Sequence, residues 1–163
     1  MGWFFWSPLA AASLHMFEEF VSPGHFPQWY KHYKPGITKS ITTGFLAIIN
    51  GLLLFLCYDV GTLGRSRLGV ALWLCVMALL AANGFWHLRG TVRTRSYSPG
   101  VLTGSLVYLP LAVYGYVLFL RSGQASVLTA VAAFAIGASY QCWSNLFHGF
   151  RARGHAPVNR GDS

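Results

Sequence analysis

Four stretches of this chain stay apolar for about the twenty residues a helix needs to cross a hydrocarbon core roughly 30 Å thick. They are Ile41 to Val60, Leu68 to Leu88, Pro99 to Leu120 and Ala125 to about Phe150. A fifth, Trp3 to Phe20, is closed by "SPGHFP", whose two prolines and glycine end a helix. Stretches of this kind leave few options, because a lipid-embedded backbone must satisfy its own hydrogen bonds. Composition agrees: 54% of the 163 residues are hydrophobic and 10% charged, against about a quarter charged in ordinary soluble domains. The sequence therefore predicts an all-α polytopic membrane helix bundle with about five transmembrane helices. One domain covers residues 1–150, followed by a polar, basic tail over 151–163 expected to lack order at its end. Pro110 predicts a kink in the fourth span.

The formal net charge of +8 could suggest nucleic acid. The basic residues, however, fall between the apolar stretches, and no nucleic-acid module is visible. That distribution reads as topology and contact with anionic inner-leaflet lipids. With five spans, Lys31, Lys34, Lys39, Arg89, Arg93, Arg95, Arg151, Arg153 and Arg160 share one side, leaving three of the 12 basic residues opposite, Arg65, Arg67 and Arg121. The positive-inside rule then predicts a multi-pass protein of the cell membrane with its N-terminus outside and its C-terminus cytoplasmic.

Cys57, Cys75 and Cys142 lie in apolar stretches without a CxxC pair, which predicts packing thiols. Nothing basic precedes Trp3, so the first segment does not read as a cleaved signal peptide. The "WFFW" start reads as an interface anchor.

The polar residues inside the spans carry the functional signal. His15, Glu18 and Glu19 end the first span, Asn83 and His87 the third, and Asn145 and His148 the fifth. These spans run in the same direction, so all seven residues are expected at one depth near the cytoplasmic face. On a helix both carboxylates can flank His15, at i+3 and i+4, and Asn83–His87 and Asn145–His148 each share a face. Ionisable residues in membrane spans mark sites by default. The plainer readings are interfacial glutamates paired with Lys31 or Lys34, membrane-edge histidines, and asparagines that bridge helices. Asn50, deeper in the second span, reads as such a bridge. His25, His32 and His155 lie in loops and are assigned no role.

"HMFEE" (His15, Glu18, Glu19), a further histidine best matched by His87 in "NGFWH" with His148 competing, and the Tyr-x-Pro-Gly element "YSPG" (Tyr97 to Gly100) together resemble the HXXEE-motif membrane protein family. The resemblance spans nearly the whole chain and implies candidate residues without a reaction. "YSPG" also reads as a helix start, with Ser98 capping, Pro99 in the first turn and Tyr97 at the interface.

Three functions compete. The first is a metal-dependent or acid–base enzyme acting on a lipid or small amphiphile. His15, His87, His148 and Glu19 would hold one Zn or Fe ion, the other glutamate would act as base, and Asn83 and Asn145 would orient ligands. Four acidic residues are too few for a bridged di-iron site. The second is a metal-free glutamate hydrolase, similar to CAAX-type intramembrane proteases, although Pro23 stands where those carry arginine. The third is a proton or metal-ion carrier or sensor using the same residues.

Overall fold

The computed structural model describes residues 2–21, 23–36 and 41–154. All its regular elements are helical. A 3-10 turn, Gly2–Trp6, leads into α1, Ser7–Phe20. A short α2, Phe26–Tyr33, follows, then α3, Thr43–Leu63, and α4, Arg67–Thr94. The chain continues through α5, Val101–Arg121, and ends in α6, Val127–Gly154. Lys39 and the tail from His155 onward lie outside the described residues.

Helices α3, α4, α5 and α6 are long and apolar enough to cross a membrane. The expected fifth span is shorter. Its α-helical part has 14 residues, about 21 Å at 1.5 Å per residue, and reaches bilayer thickness only with its 3-10 turn. The break at "SPGHFP" occurs as expected, but the residues after it form α2 instead of a loop. His25 takes the left-handed conformation before α2, at φ 69°. The last helix also runs past the expected boundary at 150, to Gly154.

Local chemistry sets the helix starts. Thr42 Oγ1 accepts from the Phe45 N–H at 3.2 Å and Ser66 Oγ from the Gly69 N–H at 2.9 Å, as N-caps do. Pro110 cannot donate to the carbonyl four residues before it, and a π-helical turn, Gly104–Tyr108, sits immediately upstream. The stretch before Pro110, where a kink is expected, is thus π-helical.

Helix α4 is the central element: half of its span is buried, against 11% for α3 and 17% for α6. It runs parallel to the first segment in a fixed register. Phe4 stacks on Trp73 at 5.0 Å, and eleven residues later along α1 the Asn83 amide meets His15 at 3.1 Å. Helix α5 returns antiparallel, close enough that a Cβ on Gly84 would lie 2.7 Å from the Gly104 carbonyl oxygen. Small residues at a helix crossing allow that approach. One end of the bundle is a packed apolar core of Phe4, Phe5, Trp73, Leu74 and Phe119. This corrects the reading of "WFFW" as an anchor: Phe4 and Phe5 are buried, while Trp3 is 74% exposed.

Candidate functional site

The polar residues gather at the other end, where α1 and α4 finish and α5 begins. Glu18 and Glu19, adjacent on α1, point to different surroundings, as positions about 100° apart on a helix must. Both are buried.

Glu18 is enclosed by the start of α5. Its Oε1 accepts from the Tyr97 hydroxyl at 2.5 Å, the Gly100 N–H at 2.9 Å and the Leu102 N–H at 3.0 Å. Its Oε2 accepts from the Thr103 N–H at 2.7 Å and the Thr103 hydroxyl at 2.5 Å. A helix N-terminus leaves orphan N–H groups with partial positive charge, and here a carboxylate from another helix satisfies them. Five donors occupy the roughly four lone-pair directions of a carboxylate. Glu18 is therefore saturated where it stands. The expected helix start at "YSPG" is corrected in two respects. Helix α5 begins at Val101, and Ser98 caps nothing with its hydroxyl. Tyr97 is held by Glu18, and burial followed by that hydrogen bond raises its phenol above the ordinary tyrosine range.

Glu19 faces two imidazoles. Its Oε1 lies 3.4 Å from His15 Nε2 and 3.1 Å from His87 Nε2. The far side of each ring is fixed by a hydroxyl: His15 Nδ1 lies 2.7 Å from Thr103 Oγ1, and His87 Nδ1 lies 2.9 Å from Ser98 Oγ. The Thr103 hydroxyl proton is committed to Glu18, so His15 Nδ1 donates to Thr103 and, in the neutral ring, Nε2 carries the lone pair. Asn83 Nδ2, 3.1 Å away, donates to that lone pair. His87 Nε2 is near Glu19 but out of line for a hydrogen bond, and this fully buried atom has no hydrogen-bond partner among the described residues. Buried polar atoms in that condition call for an explanation.

Gly100 makes the arrangement possible. Its φ is 99°, and a Cβ there would lie 2.7 Å from His15 Cε1 and 2.9 Å from His87 Cε1. The "YSPG" element is thus a strap drawn across both imidazoles, held by Glu18. Tyr108, in the π turn, packs its ring 4.7 Å from that of His15 and buries a hydroxyl without a hydrogen-bond partner among the described residues. From α2, Phe26 and Trp29 cover His87 at ring distances of 5.7 and 6.1 Å.

One ligand atom each from His15, Glu19 and His87 lie within 4.8 Å of one another, a set that could hold a metal ion. Tetrahedral ligands at the usual 2.0–2.2 Å stand about 3.4 Å apart, which matches both imidazole–carboxylate distances. Among the described residues, His148 is not in this set. It sits on α6 with Tyr30 at 6.0 Å and Phe45 at 5.2 Å. Asn145 is exposed, donates to the Gln141 carbonyl at 2.7 Å and accepts from Lys34. Neither glutamate pairs with Lys34.

His148 does share a cavity with the cluster. This space, about 430 Å³, lies between α1, α2, α3, α4 and α6 and is lined by His15, Glu19, Asn83 and His148 among mainly apolar side chains. Asn50, expected to bridge helices, is on its wall. The roles of Ser98, Thr103 and Tyr108 were not readable from the sequence. For the first two the available signal was their closeness to "YSPG"; Tyr108 carried none.

No curated protein and no solved structure matches the chain. A family model described as "Protein of unknown function with HXXEE motif" matches residues 6–115, a stretch that holds His15, Glu18, Glu19, Asn83, His87 and Tyr97 to Gly100 and stops short of Asn145 and His148. The chain belongs to this HXXEE family.

Proposed function

We propose that His15, Glu19 and His87 hold one Zn or Fe ion in a membrane enzyme that acts on a lipid or small amphiphile. The observation that carries this reading is the convergence of His15 Nε2, His87 Nε2 and a Glu19 carboxylate oxygen, with the other nitrogen of each ring fixed by a hydroxyl. Metal-ligating histidines are oriented in this way through their second nitrogen. Two histidines and one carboxylate form the protein part of several catalytic zinc and non-haem iron sites, with positions left for water or substrate. A bound ion would supply Lewis acidity and an activated water there.

The chain's own residues do the rest. Thr103 and Ser98 set the ring orientations, and Glu18 holds Thr103 and the strap. The Asn83 amide, aimed at the position beside His15 Nε2, is placed to donate to a substrate oxygen. Phe26 and Trp29 keep water from His87. An apolar cavity with a few converging polar groups is a typical small-molecule site, and about 430 Å³ suits one amphiphile chain. A carrier would need polar groups through both halves of the bundle, whereas the end around Phe4, Trp73 and Phe119 is packed and apolar.

The test compares the lipids of cells carrying the intact protein with those of cells carrying Glu19→Gln. At least one amphiphile should change in amount with the intact protein and not with the variant. Identical lipids, together with a difference in metal or proton flux, would replace the enzyme with a carrier.

A further inference from the structure

Two basic side chains stand over rings that line the cavity. The Arg151 guanidinium lies 4.0 Å above the ring of Phe45, which lines the cavity. Lys34 Nζ stands 5.7 Å from the ring of Trp86, another lining residue, and donates to the Asn145 amide oxygen. Lys34 and Arg151 are both charged neighbours of His148, and Arg89 and Arg93 are charged neighbours of Lys34. Burial first, then those two arginines, lowers the pKa of Lys34. Lys34 and Arg151 thus stand beside lining residues on the same side of the cavity, and an anion placed there would be attracted by both. Inside the cavity the picture reverses: among the described lining residues there is no Lys or Arg, and Glu19 is the one acid.

Depth orders these features. Helices α1 and α3 are antiparallel, with Trp6 against Tyr58 at 5.6 Å and its ring in the space a Cβ on Gly61 would fill. Counting back from that contact sets Glu19 level with residues 45–48 of α3 and His15 level with 49–52. Phe45 is thus within about one helical turn, 5.4 Å, of the level of Glu19 and about one to two turns from that of His15. Beyond them the lining is apolar, including Leu53, Leu56, Leu79 and Leu80. From Phe45 to Leu56 the cavity follows α3 for about 16 Å.

We infer that the cavity takes an anionic glycerophospholipid or its single-chain form, with the phosphate at the rim of Lys34 and Arg151 and one acyl chain along α3 toward Leu56. The glycerol ester region then lies beside Glu19 and His15. That last step deepens the proposed metal site and rests on it; the seating of the lipid rests on the cavity and the rim alone.

The test reconstitutes the full chain in bilayers of equimolar phosphatidylglycerol and phosphatidylcholine with identical acyl chains. After mild extraction, mass spectrometry counts the lipids that stay bound, and metal is measured in the same samples. Phosphatidylglycerol should be retained in preference. Lys34→Ala and Arg151→Ala should each reduce that preference about fivefold, the effect of one basic group at an anionic surface. The paired change Arg89→Ala with Arg93→Ala, on exposed positions of α4, should reduce it too, which guards against a folding defect at Lys34. Arg121→Ala, at the other end of α5, should leave it unchanged, and Leu56→Trp should lower total retained lipid without altering the ratio. Equal retention of the two lipids, or an Arg121→Ala effect as large as that of Lys34→Ala, would overturn the inference. Absent metal with intact lipid preference would instead overturn the metal site and leave the seating of the lipid in place.

Discussion

Two walls of one cavity carry similar side chains at similar helical spacing. On the α1–α4 wall, the lining residues His15 and Glu19 close with His87, which is not itself among the lining residues, to within 4.8 Å. On the α6 wall, the lining residue His148 sits among Tyr30 and Phe45, and Asn145, exposed outside the lining, is bonded to Lys34 and its own helix. Both walls place these residues toward the same end of the bundle. What separates them is support. The first wall has the start of α5 behind it, supplying Ser98 and Thr103 to the imidazoles and five donors to Glu18. The described contacts of the second wall are mainly aromatic. Polar residues at equal depth become a site only where a third element fixes their orientation.

The largest expected effect comes from removing that third element's anchor. Glu18→Ala leaves three backbone N–H groups and two hydroxyls without their acceptor, at about 1–3 kcal/mol for each buried donor left unsatisfied. A loss of about 3 kcal/mol or more is expected in unfolding measurements in detergent. An unchanged midpoint would mean that the strap holds without it.

Gly100→Ala is expected next. The substituted residue must adopt φ near 99° with its Cβ against both imidazoles, a strain of about 1–3 kcal/mol. Metal retention should fall with stability. Retention equal to that of the unaltered protein would show that the imidazoles need not be held this closely.

Asn83→Ala removes the amide placed beside the metal position and should slow turnover while leaving metal content intact. His148→Ala, on the other wall, should have the smallest effect on the site itself, with metal content unchanged although the side chain is buried. Loss of metal in His148→Ala would make His148 a ligand and erase the difference between the walls.

Much of this was legible in the sequence for physical reasons. Apolar length announced the long helices, because lipid imposes it. The helical spacing of His15, Glu18 and Glu19 marked the site, since adjacent carboxylates in an apolar segment need partners. Other features were hidden. Helix α2 is too short to show a clear period, and its aromatic face acquires meaning only against Trp86 and His87. Thr103 and Ser98 look like ordinary helix-start residues until the fold brings α1 and α4 against them. Depth could be counted along each helix, but rotation about its axis could not, so Asn145 and His148 looked equivalent to Asn83 and His87.

The central claim is that His15, Glu19 and His87 form one metal site. Elemental analysis of protein purified without chelator tests it most directly, with His15→Ala, Glu19→Gln, His87→Ala and His148→Ala prepared in parallel. The account predicts close to one zinc or iron per chain in the unaltered protein and in His148→Ala, and little in the other three. An unaltered protein that holds no zinc or iron even after incubation with each, or variants that hold as much as it does, would contradict it.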